Sequence, residues 1–246
     1  MSEWLYGRNP IYETLRAGRR QLRGLKLARG VQQKGRLAEI VNLCWQKNVP
    51  VKQVDRQELD QIDRNNQGVA LQVGDYPYAG LDDMLSLAVS QGLPPFILIL
   101  DTLKDPQNLG TLLRTAEVVG VHGVLLPLAR TATITPAVVN SSSGASEHLL
   151  VAQTNLAQAI SVLKDENVWA VGLDGGPESQ LAGRVNLKGG LALVVGSEGA
   201  GMRRLVRESC DILMRLPMHG RIESLNAAVA GSVVLYLALA AREESA

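Results

Sequence analysis

The chain has 246 residues, of which 46% are hydrophobic and 20% charged, and its formal net charge is +1. That is enough chain for one large or two modest domains with buried cores, and the composition excludes wholesale disorder and a uniformly basic nucleic-acid coat. The charge is unevenly divided: residues 1–54 carry eleven Lys and Arg against three Asp and Glu, a net of +8, whereas residues 55–246 carry −7. The N-terminal part alone has the character of a polyanion partner. Cys44 and Cys210 lie far apart, outside any CxxC or Cys/His cluster, so neither a disulfide framework nor a metal site is expected and a reducing, cytoplasmic setting fits. The first residues lack the basic and then apolar pattern of a secretory signal. The most apolar stretch, residues 225–241, is short of a membrane span and is interrupted by Asn226, Gly231 and Ser232, so no membrane association is expected.

In chain order, periodicity predicts a helix over 5–18 with Ile11 and Leu15 on one face, then a strand over 25–28. A second helix over 35–47 has Leu37, Ile40, Val41 and Cys44 at helical spacing, and short strands follow at 49–51 and 68–73. Residues 1–74 thus read as a small α/β domain. Residues 75–95, with a short helical run between two turn-rich ends, read as the connection. From Phe96 the pattern alternates regularly. Strands at 96–100, 124–127, 149–152, 168–173, 191–195 and 212–216 interleave with helices at 108–119, 136–143, 156–163, 202–208 and from Ser224 onward. Short, wholly apolar strands between helices indicate a mostly parallel sheet covered on both faces, so residues 96–246 form a second α/β domain. Its ligands belong at the carboxyl ends of the strands.

Three segments follow apolar strands in that domain. In the first, Asp105-Pro106-Gln107-Asn108 turns into a helix that Asn108 is placed to cap, and Arg114 sits in an otherwise apolar helical run where it needs an anionic partner or a route to water. The second, Gly196-Ser197-Glu198-Gly199-Ala200-Gly201, lets a ligand approach the backbone. Its G-x-x-G-x-G spacing is not the dinucleotide fingerprint, which argues against a nicotinamide oxidoreductase. Glu198 would repel a pyrophosphate and suits a cation or a hydroxyl. The third runs from Leu216 to Asn226 and puts Ser224 at a helix N-cap with Asn226 just inside the first turn, where an amide needs partners. His122, His148 and His219 are scattered and form no catalytic arrangement.

Taken together, Asn108-x-Gly110-x-x-x-Arg114, Gly196-Ser197-Glu198-Gly199 and Leu216-Pro217-Met218 with Ser224-Leu225-Asn226 resemble the three motifs of the SpoU/TrmH branch of the SPOUT methyltransferases. The opening Tyr6-Gly7-Arg8-Asn9-Pro10 resembles the start of that family's RNA-substrate domain, so the likeness spans nearly the whole chain. It is nearest to those members that methylate a guanosine ribose 2'-oxygen in 23S rRNA. The resemblance implies an N-terminal domain like ribosomal protein L30e, a C-terminal α/β domain threaded as a trefoil knot, and a homodimer joined through the knot. It implies S-adenosylmethionine as methyl donor, held at the positions of Gly196, Leu216, Met218 and Leu225. It also implies catalytic roles for Asn108, Arg114, Glu198, Ser224 and Asn226, with Arg114 reaching the partner's site. Methyl transfer from a sulfonium neutralises charge, so the chemistry requires alignment and a proton acceptor rather than a metal. Two roles for Arg114 stay open, as base or as anchor for an oxyanion or phosphate, because a protonated guanidinium has no acceptor lone pair.

On this reading Arg8, Arg16, Arg19, Arg20, Arg23 and Arg29, with Lys26, Lys34 and Arg36, supply salt-dependent contacts to folded RNA, either 23S rRNA or a precursor of the large ribosomal subunit. Two alternatives keep the fold and change the function, namely the same chemistry on tRNA or another rRNA site, and a non-catalytic RNA-binding assembly factor. A pure binder has no use for the intact polar set, and the stretch His219–Glu223 does not help to choose the substrate.

Overall fold

The computed structural model describes residues 2–222 and 224–244. Its strands and helices run β1 (Ser2–Tyr6), α1 (Arg8–Ala17), β2 (Leu22–Ala28), α2 (Arg36–Gln46), β3 (Val51–Val54), α3 (Arg56–Asp60), β4 (Val69–Gly74), α4 (Leu81–Ser90), β5 (Phe96–Leu100), α5 (Pro106–Val118) and β6 (Gly123–Pro127). They continue through α6 (Pro136–Ser141), β7 (Val151–Thr154), α7 (Leu156–Asp165), β8 (Trp169–Leu173), β9 (Gln180–Leu181), β10 (Leu191–Val195), α8 (Arg204–Ser209), β11 (Ile212–Arg215) and α9 (Ala227–Glu243). Two compact units result: residues up to Pro77 together with Ile134–His148, and Tyr78–Thr133 together with residues from Leu149 onward.

The first unit holds a four-stranded mixed sheet in the order β1-β4-β2-β3, with β2 parallel to β3 and the other pairs antiparallel. Leu5, Leu25, Leu27 and Leu71 are buried, as are Ile11 and Leu15 of α1 and Leu37, Ile40, Val41 and Cys44 of α2. Where the periodicity predicts one helix over 5–18, the chain makes β1 first and breaks at Gly7, whose φ of 84° suits glycine and separates strand from helix. The pairing of Leu5 with Leu71 across β4 is a long-range contact that helical periodicity does not register.

Residues 134–148 supply α6 and a short 3-10 turn to this unit. They are tied in by polar contacts: Asn140 Nδ2 donates to Tyr6 O at 3.3 Å, Tyr76 Oη to Ser146 O at 2.8 Å, and Glu147 accepts from Arg20. Sequence periodicity assigns the same stretch to the second α/β domain.

The second unit is a seven-stranded, all-parallel sheet in the order β7-β6-β5-β10-β8-β11-β9. The α/β class expected from the apolar strands is therefore found in both units. β5, β6 and β10 are wholly buried, as a sheet covered on both faces requires. Residues 75–95, read from sequence as a connection, contain α4, whose Met84 is fully buried over Gly123. A Cβ at Gly123 would stand 2.1 Å from the Met84 sulfur, so only glycine admits that packing. β11 lies on the far side of β8 from β10, yet α9 packs against α5 and β10. The start of α9 thus returns to the carboxyl ends of the strands, where Asn226 and Ala227 meet the glycine loop at Glu198. No helix among the described residues is long and apolar enough to cross a membrane.

Candidate functional site

Three loops converge at the carboxyl ends of β5, β10 and β11. The first begins α5. Asp105 is its N-cap, accepting from Gln107 N at 3.0 Å, with Pro106 in the first turn, so Asn108 is not the cap that the sequence suggests. Proline's fixed φ and missing N–H suit the first helical position, which moves the cap upstream and leaves the Asn108 side chain for other bonds.

The second loop is the glycine segment after β10. Ser197 and Gly201 exchange backbone hydrogen bonds of 3.0 Å each way, folding the loop on itself. A Cβ on Gly196 would lie 2.3 Å from Gly201 C and 2.4 Å from Met202 N, so the turn leaves no room for any side chain there.

The third loop enters α9, and here too the cap differs from expectation. Asn226, not Ser224, is the N-cap: its Oδ1 accepts from Ala228 N at 2.9 Å and Val229 N at 3.1 Å. Asn caps a helix as well as Ser does, which explains why a poor helix former stands before an alanine run. Ser224 lies two residues upstream in the exposed loop. Glu223, in the same sequence segment, lies outside the described residues.

One carboxylate joins the three loops. Glu198 Oε1 accepts from Asn108 Nδ2 at 3.1 Å and Ala227 N at 3.3 Å, and it is also hydrogen-bonded to Asn226 Nδ2. Asn226 Nδ2 further donates to Asn108 Oδ1 at 3.0 Å. Both amides are used as donor and acceptor at once, a geometry that a hydroxyl or a methyl in their place could not reproduce. Arg114 stands outside these bonds, exposed on α5. Six residues at about 1.5 Å each put its Cα about 9 Å along the helix from that of Asn108.

Of the positions carried over for a cofactor, Leu216, Met218 and Leu225 lie on the 216–226 stretch, with Met218 and Leu225 40% and 43% exposed despite being apolar. Ile222 is exposed beside them. Open backbone at a glycine turn, together with apolar side chains left in water, suits a ligand with a flat apolar ring and polar substituents. Burial pushes the Cys210 thiol up to about 12 and Cys44 up to about 11, so neither is a thiolate nucleophile near neutral pH.

The basic set divides. Arg16, Arg23 and Arg29 are exposed, with Arg16 and Arg29 in surface ion pairs to Glu13 and Asp55. Arg8 is half-buried and donates to Gln67 O at 3.3 Å. Arg19 is also half-buried and spends its guanidinium on Pro77 O at 3.1 Å, Glu147 O at 3.3 Å and Tyr76 Oη at 3.4 Å. Arg20 is 4% exposed, with Nε and Nη2 on the Glu147 carboxylate at 2.9 Å and Nη1 on Glu3 at 3.0 Å. Arg20 is thus corrected to a structural residue, because its charge is neutralised inside the unit and no phosphate can reach it. Arg19 keeps part of its surface in water, with its donors on two carbonyls and the Tyr76 hydroxyl. Sequence reasoning also passed over Asp101, fully buried just after β5, and its partner Arg203. A carboxylate directly after a wholly apolar strand was the available signal.

Comparison with known proteins accords with this arrangement. Residues 95–236 match the SpoU rRNA methylase family, and residues 4–79 match a family described as RNA 2'-O ribose methyltransferase substrate binding. The chain is 41% identical over 238 residues, 95% of its own length and 94% of the other, to YacO of Bacillus subtilis, which is assigned to the TrmH family of tRNA/rRNA methyltransferases. An uncharacterized tRNA/rRNA methyltransferase of Mycolicibacterium vanbaalenii is 41% identical over 95% of this chain and 75% of its own. Among solved structures, the fold is shared with the SpoU methyltransferase AviRb from Streptomyces viridochromogenes in complex with AdoMet, with a TM-score of 0.80, 22% identity, and coverage of 97% of this chain and 90% of that one. It is shared as well with an AdoMet-bound rRNA methyltransferase from Sinorhizobium meliloti, with a TM-score of 0.78, 23% identity, and coverage of 96% and 86%. These relatives are tRNA/rRNA methyltransferases in general and do not single out the enzymes of the 23S guanosine. With both segments matched and the three loops joined at Glu198, the chain belongs to the SpoU (TrmH) family of RNA 2'-O-ribose methyltransferases.

Proposed function

We propose that this protein transfers a methyl group from S-adenosylmethionine to the ribose 2'-oxygen of a specific guanosine in 23S rRNA, acting in the cytoplasm on the free RNA or on a precursor of the large subunit. The observation that carries the reading is the Asn108–Glu198–Asn226 network, which brings three distant polar residues to one point at the strand ends. A binding module gains nothing from such an arrangement.

The cofactor-shaped features fit that donor. Gly196 lets the turn close on Gly201 and Met202, Gly199 and Gly201 leave open space beside the backbone, Leu216, Met218 and Leu225 offer apolar contact to a purine, and the Glu198 carboxylate favours a cationic centre nearby. When bound, S-adenosylmethionine supplies an electrophilic sulfonium methyl and leaves as a neutral thioether. Glu198 is held by three donors on Oε1, which leaves Oε2 directed by a fixed carboxylate and able to accept a hydrogen bond from the ribose hydroxyl. Asn108 and Asn226 fix that carboxylate, and Ser224, exposed at the loop, helps to orient the ribose. Arg114 anchors the substrate phosphate or the developing alkoxide, the role its permanent charge permits. Arg114 acts in the partner's site of a homodimer joined through the knotted domain, whose α9 presents Val233, Tyr236 and Leu237 at the surface. Arg16, Arg23 and Arg29 of residues 1–74 hold the RNA, with Arg8 beside them.

The test is transfer of labelled methyl from S-adenosylmethionine to unmodified 23S rRNA and to bulk tRNA, with the product mapped as nuclease-resistant dinucleotides. A 2'-O-methylguanosine in 23S rRNA is the expected result. Label confined to tRNA moves the target, and no transfer to either RNA or to assembling particles overturns the enzymatic reading. RNA affinity should fall by about tenfold or more between 50 and 200 mM salt if several arginine-phosphate contacts form.

A further inference from the structure

We infer that Asp101 and Arg203 form a clamp that sets the geometry of the glycine loop, making Asp101 a positioning residue for Glu198 and for the cofactor; the cofactor half of the inference rests on the function proposed above. The Asp101 carboxylate is wholly buried at the end of β5. A charge so placed must be fully compensated by its partners, and here both oxygens are. Oδ2 accepts from the backbone N–H of Arg203 at 2.7 Å, and Oδ1 accepts from Arg203 Nε at 2.7 Å. The backbone N–H of Asp101 donates to Val195 O at 2.8 Å.

These bonds matter because of where they fall. Val195 is the last residue before the glycine loop, and Arg203 stands directly after Met202, just past its end. One residue directly after β5 therefore grips both ends of residues 196–202. Within the loop, the Ser197–Gly201 bonds and the close approach of Gly196 to Gly201 leave little freedom once the ends are fixed. Glu198 sits at the apex of this closed turn, where its Oε1 must meet Asn108, Asn226 and Ala227 simultaneously. Arg203 also caps the start of α8 by its position, so its guanidinium, half exposed, could have faced water; it is turned back onto Asp101 instead. Neither residue belongs to the polar set that touches the proposed substrate. Their effect passes through the loop.

The experiment compares wild type with Asp101→Asn, Arg203→Ala and Arg203→Lys, and with Ile160→Val in the core of α7 as a control of matched thermal stability. Two quantities are read: the dissociation constant of S-adenosylhomocysteine by calorimetry, and amide hydrogen exchange over residues 196–202. Loss of a charge-assisted hydrogen bond at the clamp should weaken binding about tenfold and speed loop exchange about tenfold in Asp101→Asn and Arg203→Ala. In the transfer assay, KM for S-adenosylmethionine should rise while KM for RNA does not change. Arg203→Lys, which keeps a cation against Oδ1, should recover most of the loss, and Ile160→Val should show none of it. Should Asp101→Asn fail to fold, Arg203→Ala alone decides, since it keeps the backbone bond. Wild-type loop exchange and affinity in a folded Arg203→Ala, or an equal loss in Ile160→Val, overturns the clamp. Faster loop exchange in the variants of a protein whose wild type does not bind S-adenosylhomocysteine supports the clamp and overturns the proposed cofactor.

Discussion

Asn226 combines two roles that the sequence presents as belonging to different residues. Its carbonyl oxygen caps α9 and its amide nitrogen holds Glu198, so Asn226→Ala removes both at once. The lost cap alone should lower stability by about 1 kcal/mol, within a range of about 0.5–2, read as a shift of the denaturation midpoint at unchanged slope. Arg114→Ala should leave the S-adenosylhomocysteine dissociation constant within about threefold and lower kcat by about 10²–10³-fold, as removal of a group that stabilises transition-state charge does. A large loss of cofactor affinity would put Arg114 in the cofactor pocket instead. His122 provides a prediction away from the site. Its Nδ1 accepts from Phe96 N at 2.9 Å, which requires the neutral ring, and burial, with the Arg242 charge adding to it, holds its pKa below the ordinary 6.5. The unfolded chain thus takes up a proton that the folded chain resists. This contribution to stability is constant above pH about 6.5 and is lost as pH falls through that value. His122→Gln should flatten the decline in melting temperature between pH 7 and 5.5.

At the scale of elements, the packing of α9 on α5 is what brings Asn226 to Asn108. Gly231 is buried in that contact, where an added Cβ would lie 2.6 Å from Leu112 Cδ2, and the Thr115 and Ser232 hydroxyls meet at 2.9 Å beside it. Gly231→Ala therefore gains helix propensity and loses packing. Overpacking of about 1–3 kcal/mol should exceed the gain of about 1 kcal/mol, so the variant is expected to be less stable by thermal or denaturant unfolding. Equal or higher stability would mean that α9 shifts freely on α5. The positions of β5 and β10, and most of α2, α5 and α7, were legible in the sequence because apolar runs and helical spacing are local signals. The caps were less legible. Asp105, Asn108, Ser224 and Asn226 are all residue types that can cap a helix, and only the folded site, where Asn226 Nδ2 engages the Asn108 oxygen and Glu198, 90 residues from Asn108 and 28 from Asn226, engages both amide nitrogens, decides which oxygens remain to cap.

At the scale of the molecule, the chain contributes to its first unit twice, through the N-terminal stretch and through residues 134–148. The Arg20–Glu147 pair joins the two contributions across 127 positions. Both side chains are almost wholly withdrawn from water, so Glu147→Ala would leave the buried guanidinium with Nε and Nη2 unpaired and only Nη1 held, by Glu3 and the Gly74 carbonyl. A loss of about 3–5 kcal/mol is expected, read by chemical unfolding, and a loss of under about 1 kcal/mol would show that water reaches Arg20 in the variant. It also follows that residues 1–74 taken alone keep Glu3 and the Gly74 carbonyl for Arg20 but lack Glu147 and Tyr76.

The amino-acid sequence alone determined the α/β class, the parallel character of the second sheet, and the three polar segments that meet at Glu198, because alternation, apolar strands and motif spacing are written over a few residues each. Only the tertiary structure decided which arginines face solvent, that Asn226 both caps α9 and bridges to Glu198, where residues 134–148 reside, and that the buried Asp101 bonds to Arg203. Those outcomes depend on groups far apart in the chain competing for the same hydrogen bonds and the same dry interior, and a one-dimensional pattern does not encode who wins that competition.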